Sequence, residues 1–196
     1  MKQLEEFGYV VKEFEKIKNY LLKIISNSSL PEDLPHAKNT LDWVLKIYPE
    51  ADISLKISAI GHDIERALPG RIKREHFKTY DEFKKMHAIR SAQILKSILS
   101  TFSLPKFIIE DIFLLVKNHE HGGDFKSDIL KDADSLSFFD VNIKFFYERE
   151  GFENTLKRAE WGFKRLSERG KKYFTTLNYS DKNLRKIFDI LCSKYL

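Results

Sequence analysis

Cysteine is nearly absent from this chain: its 196 residues include one, Cys192. No internal disulfide can form, so a reducing compartment, the cytoplasm, is the expected location. Proline and glycine are also sparse, at five and eight residues, which argues against loop-rich folds and leaves room for long regular elements. No apolar run approaches the roughly 18 residues that a membrane span needs. The first residues, MKQLEEFGYVVKEFEK, carry charge throughout, where a signal peptide would have an apolar stretch. No membrane partner is expected. Neither sign of charge dominates: 34 Lys and Arg against 29 Asp and Glu give a net +5. That balance fits an anionic substrate or weak affinity for nucleic acid and demands neither; with no nucleic-acid motif, nucleic acid is not an expected partner. What is plentiful is apolar and aromatic. Hydrophobic residues make up 42% of the chain, with 16 Phe and 8 Tyr, enough to fill a sizeable core and too much for disorder.

Apolar residues recur at helical spacing almost everywhere, and period-two alternation is rare, so the expected fold is all-α. A first helix is predicted at about 3–26, with Phe7, Val10, Val11, Phe14, Ile17, Tyr20, Leu21 and Ile24 along one stripe. A second covers about 36–48 and stops before Pro49. A third starts after Asp52, a suitable N-cap, and runs to about Ala67, before Pro69-Gly70. The basic stretch 68–79 reads as a loop. Helices follow at about 80–101 and from Pro105 to about Glu120, where Gly122 and Gly123 suit a stop. Shorter helices are expected over 126–148, then 152–170 and 181–195. With no repeat, low-complexity tract or linker, a single domain over 1–196 is the economical reading. The aromatic-rich surface helices permit a homodimer.

Chemistry-bearing residues fall in a notable order: His36, His62-Asp63, His87, His119 and Asp134. Each interval spans roughly one helix and one loop, so a bundle could gather all six. Helical phase supports this. His62 lies one turn after Ser58, Asp63 one turn after Ala59, His87 one turn after Phe83, His119 one turn after Leu115, and Asp134 one turn after Leu130. Each therefore sits on or beside an apolar stripe and should point inward. A carboxylate is costly to bury unless it is paired or bound to metal. Imidazole and carboxylate together suit Mn, Fe, Ni, Co or Zn. A lone histidine on an apolar face is more often a hydrogen-bonded core residue, but that explanation weakens for a whole set on separate helices.

This order, together with Ile60-Gly61-His62-Asp63-Ile64 and Lys131-Asp132-Ala133-Asp134-Ser135-Leu136, resembles the HD superfamily of metal-dependent phosphohydrolases. The resemblance covers roughly residues 34–140. It implies an HD-domain helical bundle with extra C-terminal helices, and a divalent transition metal held by His36, His62, Asp63 and Asp134. It also implies hydrolysis of a phosphate ester or anhydride, of a nucleotide or another small phosphorylated metabolite. Some HD subgroups add histidines and hold two metals, among them the HD-GYP phosphodiesterases and the diiron oxygenases related to myo-inositol oxygenase. His87 and His119 are candidates for that second site, so one or two ions per chain are expected. Under a single ion they become substrate-binding or general-acid groups. The catalytic candidates are thus Asp63, His87 and His119. The GYP signature itself is missing, and Glu32, beside Pro31 and Asp33, reads as a solvated turn residue.

A phosphate needs cations around it. Arg66, one turn after His62, and Arg90, three residues after His87, share the phase of the ligands, and Lys131 flanks the second motif. Arg71, Lys73 and Arg74 in the basic loop could close over the pocket. Glu65 reads as a surface partner for Arg66 or a lysine, and His76 and His121 as exposed. The basic and aromatic run around Lys157-Arg158, Trp161 and Lys164-Arg165 reads as an amphipathic helix with a buried aromatic stripe. Two other functions compete: a diiron oxygenase cleaving a C–C or C–P bond, and a non-catalytic ligand- or nucleic-acid-binding module.

Overall fold

The computed structural model describes the backbone of residues 2–196 and the side chains of residues 12–196. It is all-α, and among the described residues there is no strand. The helices are α1 (Lys2–Ile25), α2 (Asp33–Ile47), α3 (Ile53–Gly61), α4 (Tyr80–Leu99), α5 (Lys106–Asn118), α6 (Phe125–Ser137), α7 (Ile143–Lys164), α8 (Glu168–Phe174) and α9 (Lys182–Tyr195). Short 3-10 turns cover Ile64–Ala67 and Arg74–His76, and a π-helical stretch, Phe138–Asn142, joins α6 to α7. Among the described residues, no helix is long and apolar enough to cross a membrane.

Local chemistry sets most boundaries. Asp52 caps α3 by accepting from the Leu55 amide, as its position before the apolar run suggests. Thr79 and Glu82 form a reciprocal capping box on α4. Asp124 accepts from Lys126 and Ser127 to start α6. Between α5 and α6 the chain turns through Gly122 at φ 74°, where an added Cβ would fall 2.0 Å from Asp128 Oδ1. Gly151, at φ 72°, interrupts α7, which matches the break expected between 148 and 152.

One boundary differs. The third helix was expected to reach Ala67, but α3 ends at Gly61. Asp63 takes φ −105° and ψ 16°, in the sparsely populated bridge region frequented by active-site residues. The chain then tightens into the 3-10 turn. The Arg66 guanidinium ties this corner to α2, bonding Asp63 (2.9 Å) and Asp33 (2.8 Å). In the α1 stripe, Ile17 and Leu21 are fully buried, whereas Tyr20 is 48% exposed because it lies at the stripe's edge, its ring against Phe102. The expected stripe members Phe7, Val10 and Val11 lie outside the described side chains.

Two apolar clusters flank the motif residues. One gathers Ile17, Leu21, Ile57, Ile60, Ile64, Leu95, Leu99 and Ile112, from α1, α3, the 3-10 turn after it, α4 and α5. The other runs from Trp43 and Val44 on α2 through Leu130 and Phe139 to Phe163, Phe174, Ile187 and Leu191. The C-terminal helices are therefore part of a core shared with α2, α3 and α6. At Gly61 the α3 backbone meets α4 closely: a Cβ there would lie 2.8 Å from Leu95. A larger residue would push the Leu95 side chain aside, so glycine eases this approach, which brings Asp63 beside the inner face of α4.

Candidate metal centre

Four imidazoles from four elements point their Nε2 atoms into one buried space, and each has its Nδ1 already engaged. His62, at the end of α3, donates from Nδ1 to the Ala59 carbonyl (3.0 Å). His119, at the end of α5, donates to the Val116 carbonyl (2.6 Å). His36 on α2 faces the Ser137 hydroxyl (2.8 Å), which in turn donates to the His36 carbonyl (3.2 Å). His87 on α4 donates to the Glu65 carboxylate (2.7 Å). An occupied Nδ1 fixes the ring's orientation and leaves Nε2 as the inward atom. This is the arrangement by which outer partners set metal-ligating histidines.

The aspartates complete the set. His36 Nε2 and His62 Nε2 are 3.2 Å apart. Asp134 Oδ1 lies 3.2 Å from the first and 3.4 Å from the second. Ligands about 2.0–2.2 Å from one transition-metal ion stand about 3.0–3.5 Å from each other, so the three observed edges match a shared coordination sphere. Asp63 adds Oδ1 at 3.7 Å from His62 and Oδ2 at 3.9 Å from His36. Without a cation, two imidazole lone pairs would oppose each other at 3.2 Å unless one nitrogen keeps a proton. His119 Nε2 is fully buried and faces the Glu120 carboxylate, with Oε1 at 3.1 Å. The donor set therefore fits a metal. Three groups of potential ligands lie close enough for one ion: His36 with His62 and Asp134, His62 with Asp63 and His119, and His87 with His119 and Glu120. The second is looser, while in the third His119 Nε2 already lies 3.1 Å from Glu120 Oε1. His119 Nε2 is 3.9 Å from Asp63 Oδ1, and His87 Nε2 makes a 2.6 Å hydrogen bond to that same oxygen.

Electrostatics shows the same demand for positive charge. Burial opposes the charge on His62, but Asp63 and Asp134 outweigh it and push its pKa up to about 9. His87 is likewise raised against burial by Asp63 and Glu65. His119 goes the other way, lowered by burial. Asp63 is held well below the usual carboxylate range despite burial, by His62, His87 and Arg66. Asp134 is held low, also against burial, chiefly by Arg165 and the His36 and His62 rings.

A second layer of charges supports the first. Arg165, at the end of α7, bonds Asp134 Oδ2 (3.1 Å), Glu120 Oε2 (2.9 Å) and the carbonyls of His119 and Glu120. Lys84 pairs with Glu120 from the other side. Sequence reasoning missed this trio. In the sequence Lys84 lies about a turn before His87, Arg165 within the basic, aromatic helix, and Glu120 next to His119. The one signal was Glu120's place beside a ligand at a helix end.

Other candidates land elsewhere than expected. Glu65 is buried, not a surface partner: it holds His87, accepts from the Ile72 amide (3.1 Å) and lies 3.9 Å from Arg90. Glu32 is buried, not solvated, and pairs with Arg149 at 2.6 Å. Lys131 spends its ammonium on Asp128 (2.9 Å), away from the cavity. Arg90 does not line the cavity either, since its guanidinium reaches back to the Pro69 carbonyl (3.5 Å). Arg66 does line it, though committed to two aspartates. His76 and His121 are exposed, as expected.

The centre opens into a cavity of about 740 Å³, lined on the metal side by His36, Asp63, His87 and Asp134. Arg71, Lys73 and Arg74 of the basic loop, together with Arg149 and Arg158, supply cations, and Phe83, Phe138 and Phe146 supply apolar wall.

Fold and site together define an all-α protein with a buried histidine–carboxylate cluster able to hold a metal ion. The chain belongs to the family described as Domain of unknown function (DUF4202), whose model matches residues 10–187. No curated protein and no solved structure matches it.

Proposed function

We propose that this protein is a metal-dependent phosphohydrolase of the HD-superfamily type, acting on a small phosphorylated metabolite such as a nucleotide. The observation that carries the reading is the convergence of His36, His62 and Asp134 at ligand-to-ligand spacing, with Asp63 3.7 Å from His62 and 3.9 Å from His36, in the HD order and with every imidazole already held from behind. His36, His62 and Asp134 would hold the ion, with Asp63 beside them. A bound divalent cation lowers the pKa of its water and offsets charge building on a phosphoryl group.

The chain's own residues would do the rest. His87 lines the cavity and holds a proton between Asp63 and Glu65. It is thus placed to protonate a leaving oxygen. His119, fully buried and absent from the cavity wall, serves as a ligand or support. Arg66 keeps Asp63 ionised and oriented. The cationic loop would attract the anionic substrate and screen the site from water. The test is a panel of phosphomonoesters, phosphodiesters and nucleotides, assayed with Mn, Fe, Ni, Co and Zn in turn. Metal-dependent phosphate release that is absent from Asp63→Ala supports the reading. No turnover on any member with any metal counts against it.

A second reading rests on the two further ligand groups around Asp63 and His119. A dinuclear iron site there would suit an oxygenase cleaving a C–C or C–P bond. Two irons per chain with substrate-dependent oxygen consumption would favour it.

A further inference from the structure

Most cations around the cavity are already partnered. Arg66 is tied to Asp63 and Asp33, Arg149 to Glu32, and Lys84 to Glu120. Within the basic loop, Arg74 donates to the Phe77 carbonyl and Lys73 sits near Glu75. Arg158 is the exception among the partly buried ones. Its guanidinium carbon lies 4.1 Å from the centre of the Phe138 ring and 4.7 Å from that of Trp161. Its Nη1 is buried and has no hydrogen-bond partner. No carboxylate pairs with it among the described residues, yet it lines the cavity.

Contact with two aromatic rings holds the planar fork in place at low entropic cost, so its remaining N–H groups point in fixed directions. A guanidinium left partly desolvated without a counter-charge is unfavourable unless a ligand supplies one. Three cations surround Trp161: Arg158, Arg165 and Lys84. The last two share Glu120, and Arg165 also reaches Asp134. Arg158 sits two turns before Arg165 on α7, about 10 Å back along the helix axis. No hydrogen bond or ion pair joins Arg158 to a candidate ligand among the described residues, whereas Arg165 bonds Asp134 directly.

We propose that Arg158 is a specificity residue that binds a second phosphate of the substrate, remote from the phosphoryl group that reacts. The proposal deepens the phosphohydrolase reading of this cavity and rests on it for the reacting group. The substrate class becomes a metabolite carrying two anionic groups, one at the metal centre and one in the fork of Arg158.

The test is calorimetric titration of inorganic phosphate into the full-length, chelator-treated protein, which isolates this site from the metal. Arg158→Met should weaken phosphate binding roughly tenfold or more, the loss expected for charge-assisted hydrogen bonds. Arg158→Lys should fall between the two, because it keeps the charge and loses the planar fork. Lys157→Met, an exposed neighbour outside the cavity, should bind as the unmodified protein does. Metal content of reloaded Arg158→Met should match the unmodified protein, since no candidate ligand touches Arg158. Unchanged phosphate binding in Arg158→Met overturns the proposal, as does an unmodified protein that binds no phosphate. Tighter binding of malonate than of phosphate overturns the phosphate assignment. If Arg158→Met does not fold, Arg158→Lys decides, and affinity equal to the unmodified protein refutes the role. Failure of the phosphohydrolase reading shows separately, as absent metal or turnover while phosphate binding still depends on Arg158.

Discussion

Each imidazole at the centre uses one nitrogen to fix its own pose, and the cost of losing that hold can be measured. Glu65→Gln keeps the shape but removes the charge that orients His87. Loss of such an outer partner typically costs about 10–100-fold in metal affinity or activity. We expect that loss in turnover, with little change in the melting temperature; full activity in the variant would remove Glu65 from the site. Protonation gives a second expectation. In the metal-free protein the His62 pKa is raised from 6.5 to about 9. Its contribution to stability is therefore complete below about pH 6.5 and is lost as pH rises through about 9. Asp63, Asp134 and Glu120 are lowered, so their contribution is present at neutral pH and lost only in acid. Metal must displace the His62 proton, so its affinity should rise with pH over that same alkaline window. A chelator-treated sample whose melting temperature is flat from pH 6.5 to 9, with pH-independent metal binding, would contradict the assignment. The six inward residues were legible because their phase on each helix matched an apolar stripe. Glu65, Glu32 and Arg158 were not, because a charged side chain in a turn or on a polar face gives no sign in one sequence of which way it points.

At the scale of elements, the centre depends on where helices end. His62 and His119 are both C-terminal cap residues, and Asp63 lies in the corner where α3 gives way to a 3-10 turn. Reading α3 as continuous to Ala67 carried its α-helical phase past that corner. Past that corner Glu65, expected as a surface partner of Arg66 or a lysine, turns inward behind His87. Likewise α7 was legible as a basic and aromatic helix, but no pattern within it reveals that Arg165 meets Asp134. That contact depends on packing between residues far apart in sequence. Removing Arg165 takes the shared cation from two buried carboxylates, leaving Glu120 with Lys84 and Asp134 with the His36 and His62 rings. Arg165→Met should lower unfolding free energy by about 3–5 kcal/mol, measured by urea titration. A loss below about 1 kcal/mol, the scale of a surface pair, would mean the network is solvated.

The whole molecule ties the motif-bearing part to its C-terminal helices. Phe163, Phe174, Ile187 and Leu191 share a cluster with Trp43, Val44 and Leu130, so residues 34–140 are not a separable unit. A fragment of residues 34–140 should therefore show no cooperative melt, whereas the full chain should show one; a cooperative fragment would contradict the shared core. The central claim is that the buried cluster is a metal centre. Elemental analysis of the protein purified without chelator, beside Asp63→Ala, tests it most directly. The account predicts about one or two transition-metal ions per folded chain, lost in the variant. A metal-free protein that also fails to take up Mn, Fe, Ni, Co or Zn when reloaded, or an Asp63→Ala variant with undiminished metal, would contradict it.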